Sequence, residues 1–206
     1  MYEHKAYTIE TLTNTHVGSG DTTFGIVDNL IQKDPVTFLP VFHPSSLKGA
    51  LREHFEQYIK GTAATSPLSA EDIKSIFGDA EDKPGVVKFY EARLLTLPLR
   101  ASKKVYYNCT SPSVIIDYLE TISIFKTVTS DLNPLITVFK KIQDQAGKEF
   151  YIFTTDDNAV KGLEIEDYCL AEKWNDGIDN AFKTLFTRMA GSLDLSTVAV
   201  FHDDIF

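Results

Sequence analysis

Apolar positions along the chain fall into two spacings, and each spacing predicts an element. Leu47, Ala50, Leu51, Phe55 and Tyr58 recur with the three- and four-residue spacing of a helix that buries one stripe. Ser45 or Ser46 is the expected N-cap and Gly61 the stop, which predicts a helix over 45–60. A short helix is expected from the capping-box-like Ser69-Ala-Glu-Asp72 to Phe77-Gly78. Ser111-Pro112 starts a third, continued by Val114, Ile115, Tyr118, Leu119 and Ile122. Two more run from Pro134 to Gln145 and from Asp176 to Met189, stopping at Gly147 and Gly191. Strand-like runs are Tyr7 to Thr13, Val86 to Phe89, Ala92 to Leu97, Glu149 to Thr154, Leu163 to Leu170 and Thr197 to Phe201. Strands and helices mix without strict alternation, which predicts an α+β fold.

Composition narrows this. With 206 residues, 43% hydrophobic and 24% charged, the chain suits one globular domain spanning 1–206. Its net charge of −9 is unevenly spread: residues 1–105 carry 13 acids and 12 bases, residues 106–206 carry 16 and 8. Phosphate neutralisation dominates nonspecific nucleic-acid affinity, so the balance excludes a free-standing, indiscriminate RNA binder. RNA would have to be held at a local basic strip in the first half, or jointly with neighbouring subunits. Cys109 and Cys169 fit no metal spacing and read as core residues of a protein in a reducing compartment. No apolar run reaches the length of a membrane span and the N-terminus lacks a signal-peptide pattern, so a cytoplasmic location is expected.

Candidate chemistry concentrates in residues 16–52. Lys48 and Arg52 are four apart on one side of the expected helix, and Lys48 lies in its opening turn. A cation there opposes the helix dipole unless an anion is present, and a phosphate would resolve the conflict. An isolated Lys–Arg pair is ordinarily a solvated face; Gly49 tips the reading towards a phosphate, because glycine inside a helix costs about 1 kcal/mol and usually marks a close approach. Upstream, His16 opens a turn containing Gly18 and Gly20, and Asp28 sits between Ile26-Val27 and Leu30-Ile31. A His and an Asp suit acid–base or metal-assisted phosphodiester cleavage, although each taken singly is more often a structural or turn residue. The Gly-Ser-Gly run is neither a Walker loop nor a dinucleotide fingerprint. Further on, Arg93 is best read as part of an exposed strand face or as a salt bridge with Glu91, whereas Arg100 with Lys103 and Lys104 forms the densest basic patch, an RNA-backbone candidate. Tyr106 and Tyr107 beside it could stack on bases, but they alternate like two faces of a strand, so at least one of them belongs to the core.

Taken in order, His16-Val-Gly-Ser-Gly20, Gly25-Ile-Val-Asp28, Ser45-Ser-Leu-Lys-Gly-Ala-Leu-Arg52, Ile76-Phe-Gly78, Glu91 to Arg100, Thr110-Ser-Pro112 and His202-Asp-Asp-Ile-Phe206 resemble RAMP-superfamily proteins of type III CRISPR effectors. The resemblance covers nearly the whole chain and is strongest to the repeated backbone subunit of type III-B (Cmr) complexes. It implies an elaborated ferredoxin-like (RRM-like) RAMP fold with an inserted helical region. It also implies a backbone subunit that binds CRISPR RNA, cleaves guide-paired single-stranded target RNA as an endoribonuclease, and assembles with copies of itself and other type III subunits in antiviral defence. In that reading Asp28 is the essential acid and the ligand of Mg2+ or Mn2+, and His16 an assisting proton carrier or phosphate ligand. Ser46, Lys48, Arg52, Arg100, Gly18 and Gly20 contact RNA. The alternative is a non-catalytic RNA-binding scaffold or mimic that keeps the fold. Two departures stand out: His43-Pro44 replaces the Pro-Gly usual before the Ser-Ser pair, and the chain ends at Phe206 where the family normally continues, as a shortened relative or a fragment would.

Overall fold

The structure is a computed structural model that describes residues 3–20, 30–62, 67–79, 83–126, 130–145, 147–191 and 193–206. Contacts fall into two compact units, residues 9–94 and residues 1–8 with 95–206.

In the first unit, strand β1 (Val41–Phe42) leads directly into helix α1 (Pro44–Thr62), followed by α2 (Ala70–Phe77) and strand β2 (Ala92–Arg93). β1 and β2 pair antiparallel, Val41 opposite Arg93. The start of α2 is legible residue by residue: Ser69 Oγ accepts from Asp72 N–H while the Asp72 carboxylate accepts from Ser69 N–H, a complete capping box. Phe77, at its end, stacks on Phe89 at 5.6 Å and meets Phe55 of α1 at 6.1 Å. The strand expected over Val86–Phe89 does not form. Val86 and Val87 N–H instead donate to Ser75 and Ile76 carbonyls, satisfying acceptors that the end of α2 leaves open. Nor does Tyr7–Thr13 form a strand; residues 3–16 are exposed, and Leu12 falls out of the two-residue alternation of Tyr7 and Ile9.

The second unit contains β3 (Leu97–Arg100), β4 (Tyr106–Thr110), α3 (Pro112–Ile124), α4 (Asn133–Gln143), β5 (Phe150–Phe153), α5 (Asp157–Val160), β6 (Ala171–Trp174), α6 (Asn180–Ala190) and, after a 3-10 turn, β7 (Val198–Phe201). The sheet order is β3-β4-β7-β5-β6. β4 and β7 form a central parallel pair, β3 and β5 lie antiparallel outside them, and β6 runs parallel to β5 at the edge. This is the α+β, elaborated ferredoxin-like arrangement expected.

Both sheet faces are covered. On one, Tyr151, Phe153, Val198 and Val200 pack with Leu119 of α3, Phe139 of α4 and Phe186 of α6. On the other, Tyr107, Cys109, Phe150, Ile152, Ala199 and Phe201 pack with Leu163 and Ile165. β5 and β7 are therefore buried along their whole length and read as continuous apolar runs. An RRM sheet binds RNA through exposed aromatics on one open face; here Tyr107 of β4 and the aromatics of β5 and β7 are spent on the core.

The residues that cover the second face are not the strand expected over Leu163–Leu170. They form a tight turn in which Ile165 bridges to both Ala101 and Tyr168 while Glu166 adopts a left-handed backbone, φ 49°. This turn places Cys169 in solvent, contrary to the expected core position, with its N–H held by Glu149 at 2.8 Å. Cys109 is core as expected, and burial pushes its thiol up to about 12.

Two of the sequence motifs meet at the start of α3. Ser111 occupies the N-cap and Pro112 the first helical position, but the Ser111 hydroxyl makes no capping bond to the helix. Asp203, from the terminal His-Asp-Asp run, takes over: it accepts from Ser113 N–H at 3.1 Å, from Ser113 Oγ at 2.7 Å and from Gln143 Nε2 at 2.9 Å. Burial alone would push the Asp203 carboxyl up; hydrogen bonds from Ser111, Ser113 and Gln143 outweigh it and hold it below its ordinary 3.8. A carboxyl lowered by folding contributes stability that is present above the unfolded value and is lost as pH falls through the folded one. Asp203→Ala is expected to cost about 1–2 kcal/mol at neutral pH, the worth of a helix cap. Urea titrations should show that the gap between wild type and variant closes as pH drops below about 4; a gap that persisted in acid would assign the loss to packing instead.

Candidate nucleic-acid interface

Gln32 organises the first unit. It is 8% exposed, and its side chain is fully used: Nε2 donates to the Gly18 carbonyl at 3.0 Å and to Ser46 Oγ at 2.9 Å, while Oε1 accepts from His43 N–H at 2.8 Å. Its backbone accounts for two more bonds, Gln32 N–H to Val17 O and Val41 N–H to Gln32 O. Ser19 N–H to Leu30 O and the Gly18–Ile31 bridge complete an antiparallel pairing of 17–19 with 30–32. One buried amide thus ties the Gly turn to the start of α1. These are the two stretches that the sequence singles out for chemistry.

Helix α1 begins at Pro44, one residue earlier than expected, with the preceding His43 carbonyl accepting from Leu47 N–H. Proline fits the first helical position, which leaves Ser45 and Ser46 inside the opening turn rather than at the N-cap. Ser46 is free to face Gln32 instead. The apolar stripe is shallower than its pattern suggests: Leu47, Leu51 and Phe55 are half-buried, and Ala50 and Tyr58 are exposed. Lys48 and Arg52 are likewise half-buried rather than fully exposed, and Arg52 Nε pairs with Glu56 at 2.9 Å. A Cβ at Gly49 would meet nothing within 4 Å. Among the described residues nothing approaches this position closely, so they give no reason for a glycine there.

His16 is exposed at the start of the turn, and Gly20 takes φ +104°, a conformation that favours glycine. Asp28 lies outside the described residues; along the chain it stands two residues before Leu30. Among the described residues, no group of three or more His, Cys, Asp or Glu side chains is clustered as a metal site would require, so they alone do not supply a donor set. Arg100 belongs to the other unit and is engaged with Glu166: Arg100 N–H donates to Oε1 at 2.9 Å, and Nη2 stands 3.4 Å from Oε2. Its neighbours in the basic patch also have local partners, since Lys103 Nζ donates to the Asn158 carbonyl and Lys104 Nζ to that of Ser196. Tyr107 is core and Tyr106 exposed, so the pair divides as its alternation requires. Arg93 pairs with Glu91 at 2.7 Å, as read from the sequence.

Gln32 itself escaped the sequence reading, because its partners lie 11 and 14 positions away and a lone Gln beside apolar neighbours has no local signature. Gln32→Leu would leave the part-buried Gly18 carbonyl, Ser46 hydroxyl and His43 N–H without their partner. At about 1–3 kcal/mol for a buried polar group left unsatisfied, a loss of about 2–4 kcal/mol is expected in urea unfolding. A loss within the ±0.5 kcal/mol usual for surface substitutions would remove Gln32 from its organising role.

Comparison with known proteins agrees with this architecture. Over 117 residues the chain is 38% identical to the CRISPR system Cmr endoribonuclease Cmr4 of Pyrococcus furiosus, covering 54% of this chain and 37% of that protein. Over 74 residues it is 35% identical to the CRISPR system Cms endoribonuclease Csm3 of Streptococcus thermophilus, 34% of each chain. The chain therefore matches only about a third of the length of these curated relatives. A crystal structure of Cmr4 superposes with a TM-score of 0.65 at 26% identity, covering 95% of this chain and 68% of that one. No helix among the described residues is long and apolar enough to cross a membrane. The RAMP superfamily profile matches residues 8–194, and the chain belongs to that superfamily.

Proposed function

We propose that this chain is a backbone-type subunit of a type III CRISPR effector, of the III-B kind, that holds the phosphate backbone of a CRISPR RNA and cleaves the paired target RNA. The observation that carries the reading is the Gln32 link, which supports one composite site from the Gly18 turn and the start of α1. Both relatives named above are endoribonucleases, which supports the reaction class.

In this reading the backbone N–H groups of the first turn of α1, with Lys48 and Arg52, take the guide phosphates, and Ser46 and the Gly18–Gly20 turn flank them. Arg100 would add a contact after exchanging Glu166 for phosphate. Cleavage follows attack of the target ribose 2′-oxygen on the adjacent phosphorus: the 2′-O–P bond forms, the P–O5′ bond breaks, and a 2′,3′-cyclic phosphate and a 5′-hydroxyl result. The 2′-OH proton must leave and the 5′-oxygen must gain one; His16, exposed beside the turn, is the proton carrier, and Asp28 fixes the geometry of attack. Magnesium or manganese held at Asp28 would neutralise charge on the scissile phosphate. Copies of this chain and other type III subunits are the proposed protein partners.

The test is to purify the assembled complex, sequence the RNA that accompanies it, and incubate it with a target complementary to that guide. Bound CRISPR RNA and cuts opposite it are expected. Bound guide without cleavage would favour the non-catalytic scaffold, and absence of guide RNA would contradict the reading.

A further inference from the structure

The loop that follows Gln32 is built to hold an aromatic ring in solvent. Asp34 Oδ1 accepts from Val36 N–H at 2.9 Å, Thr37 N–H at 2.8 Å and Thr37 Oγ1 at 3.1 Å. Asp34 N–H donates to the Leu39 carbonyl and Phe38 N–H to the Asp34 carbonyl, both at 2.9 Å, and a Lys33–Pro40 bridge closes the base. The Asp34 carboxyl is held below its ordinary value chiefly by the Thr37 and Val36 N–H groups.

On this closed turn Phe38 is 71% exposed with φ +60°. Three non-glycine residues among the described ones take positive φ, and Phe38 is the one aromatic. A bulky side chain in the left-handed region is strained and persists only where its surroundings fix it. Exposed apolar surface adds no compensating burial here. The arrangement therefore costs folding free energy, and its benefit has to come from something that meets the ring.

We propose that Phe38 is a stacking platform for a nucleobase of single-stranded RNA bound at the Gln32 site, a proposal that rests on the RNA-binding reading above. Two features favour a base over an apolar protein pocket. The loop leaves directly from Gln32, whose side chain holds Ser46 at the start of α1, and exposed Lys33 at its base offers a cation for the adjoining phosphate. Aromatic rings beside cations are the usual construction for gripping unpaired strands, since every base presents a π-face. The covered sheet makes such a loop-borne ring the alternative to the RRM platform.

The test uses the full chain and a single-stranded RNA carrying 2-aminopurine, whose fluorescence reports stacking. Phe38→Gly should keep or raise the urea midpoint, because it relieves the left-handed strain, and yet weaken RNA binding about five- to hundredfold. Phe38→Trp should retain affinity and the fluorescence change, and Phe38→Leu should lose both. The salt slope should not move in any of the three, because the ring carries no charge. Unchanged affinity in Phe38→Gly, while Lys48→Ala/Arg52→Ala loses affinity, would overturn the stacking role and leave the phosphate site standing. Leu replacing Phe without loss, or a change in oligomeric state at constant RNA affinity, would assign the ring to a protein contact and overturn the proposal. No binding by the wild-type chain, alone or in the assembled complex, would remove both readings.

Discussion

Asp28→Asn, introduced into an assembled complex, is expected to abolish target cleavage while guide and target binding stay near wild type. Asp28 stands between Ile26-Val27 and Leu30-Ile31 in the sequence, and its carboxylate is the group to which the proposal assigns the chemistry. Asn keeps the shape and removes the charge. The cleavage rate should fall by about 10²–10⁴-fold, the range for a positioned acid–base group, and by more if Asp28 also holds a cation. His16→Ala should have the smaller effect, because a bulk-solvent proton carrier can replace an exposed imidazole better than water can replace a ligand. Each measurement is run with magnesium or manganese and again with a chelator. Cleavage that survives chelation would take the metal out of the proposal, and wild-type cleavage by Asp28→Asn would leave the acid as a turn former and assign the catalytic role to another group.

What the sequence revealed depended on whether the deciding contact was local. The capping box Ser69/Asp72 and the Ser111-Pro112 start are written within three residues, and both helices begin where the pattern puts them. Residues 176–179 were expected to be helical, yet α6 starts at Asn180, because the Asp179 side chain accepts from Phe182 N–H and makes Asp179 the cap. At α1 two local signals competed, and proline at the first position displaced the serines from the cap. Tertiary contacts decided the rest. Leu163 to Leu170 has strand-like composition, but a left-handed Glu166 and the Ile165 bridges fold it into the turn that seals the sheet. β6 at Ala171–Trp174 was missed, since a four-residue edge strand is specified by its parallel pairing with β5 rather than by its own alternation. The candidate site follows the same rule. Its ends, His16-Val-Gly-Ser-Gly and Ser-Ser-Leu-Lys-Gly, were legible; the amide that joins them was not.

The claim at the centre of this account is that RNA phosphate is held at the start of α1, and its second large expected effect tests that claim. Lys48→Ala with Arg52→Ala should weaken binding of CRISPR RNA without unfolding the chain. Both side chains are half-buried, so some packing will be lost, but neither belongs to a core cluster. Arg52 is paired with Glu56 in an i,i+4 contact. Such a pair is worth about 0.3–0.5 kcal/mol, too little to keep the guanidinium from a phosphate, whose hydrogen bonds to a charged group are worth about 1.5–3 kcal/mol. The decisive measurement is the salt dependence of RNA affinity for the wild type and for the double variant, both verified as folded. Each lost phosphate contact flattens the slope of log K against log salt by about 0.7 on a single strand, so the account predicts a slope lower by about 1.4. An unchanged slope, with affinity intact, would contradict it and move the phosphate site off this helix.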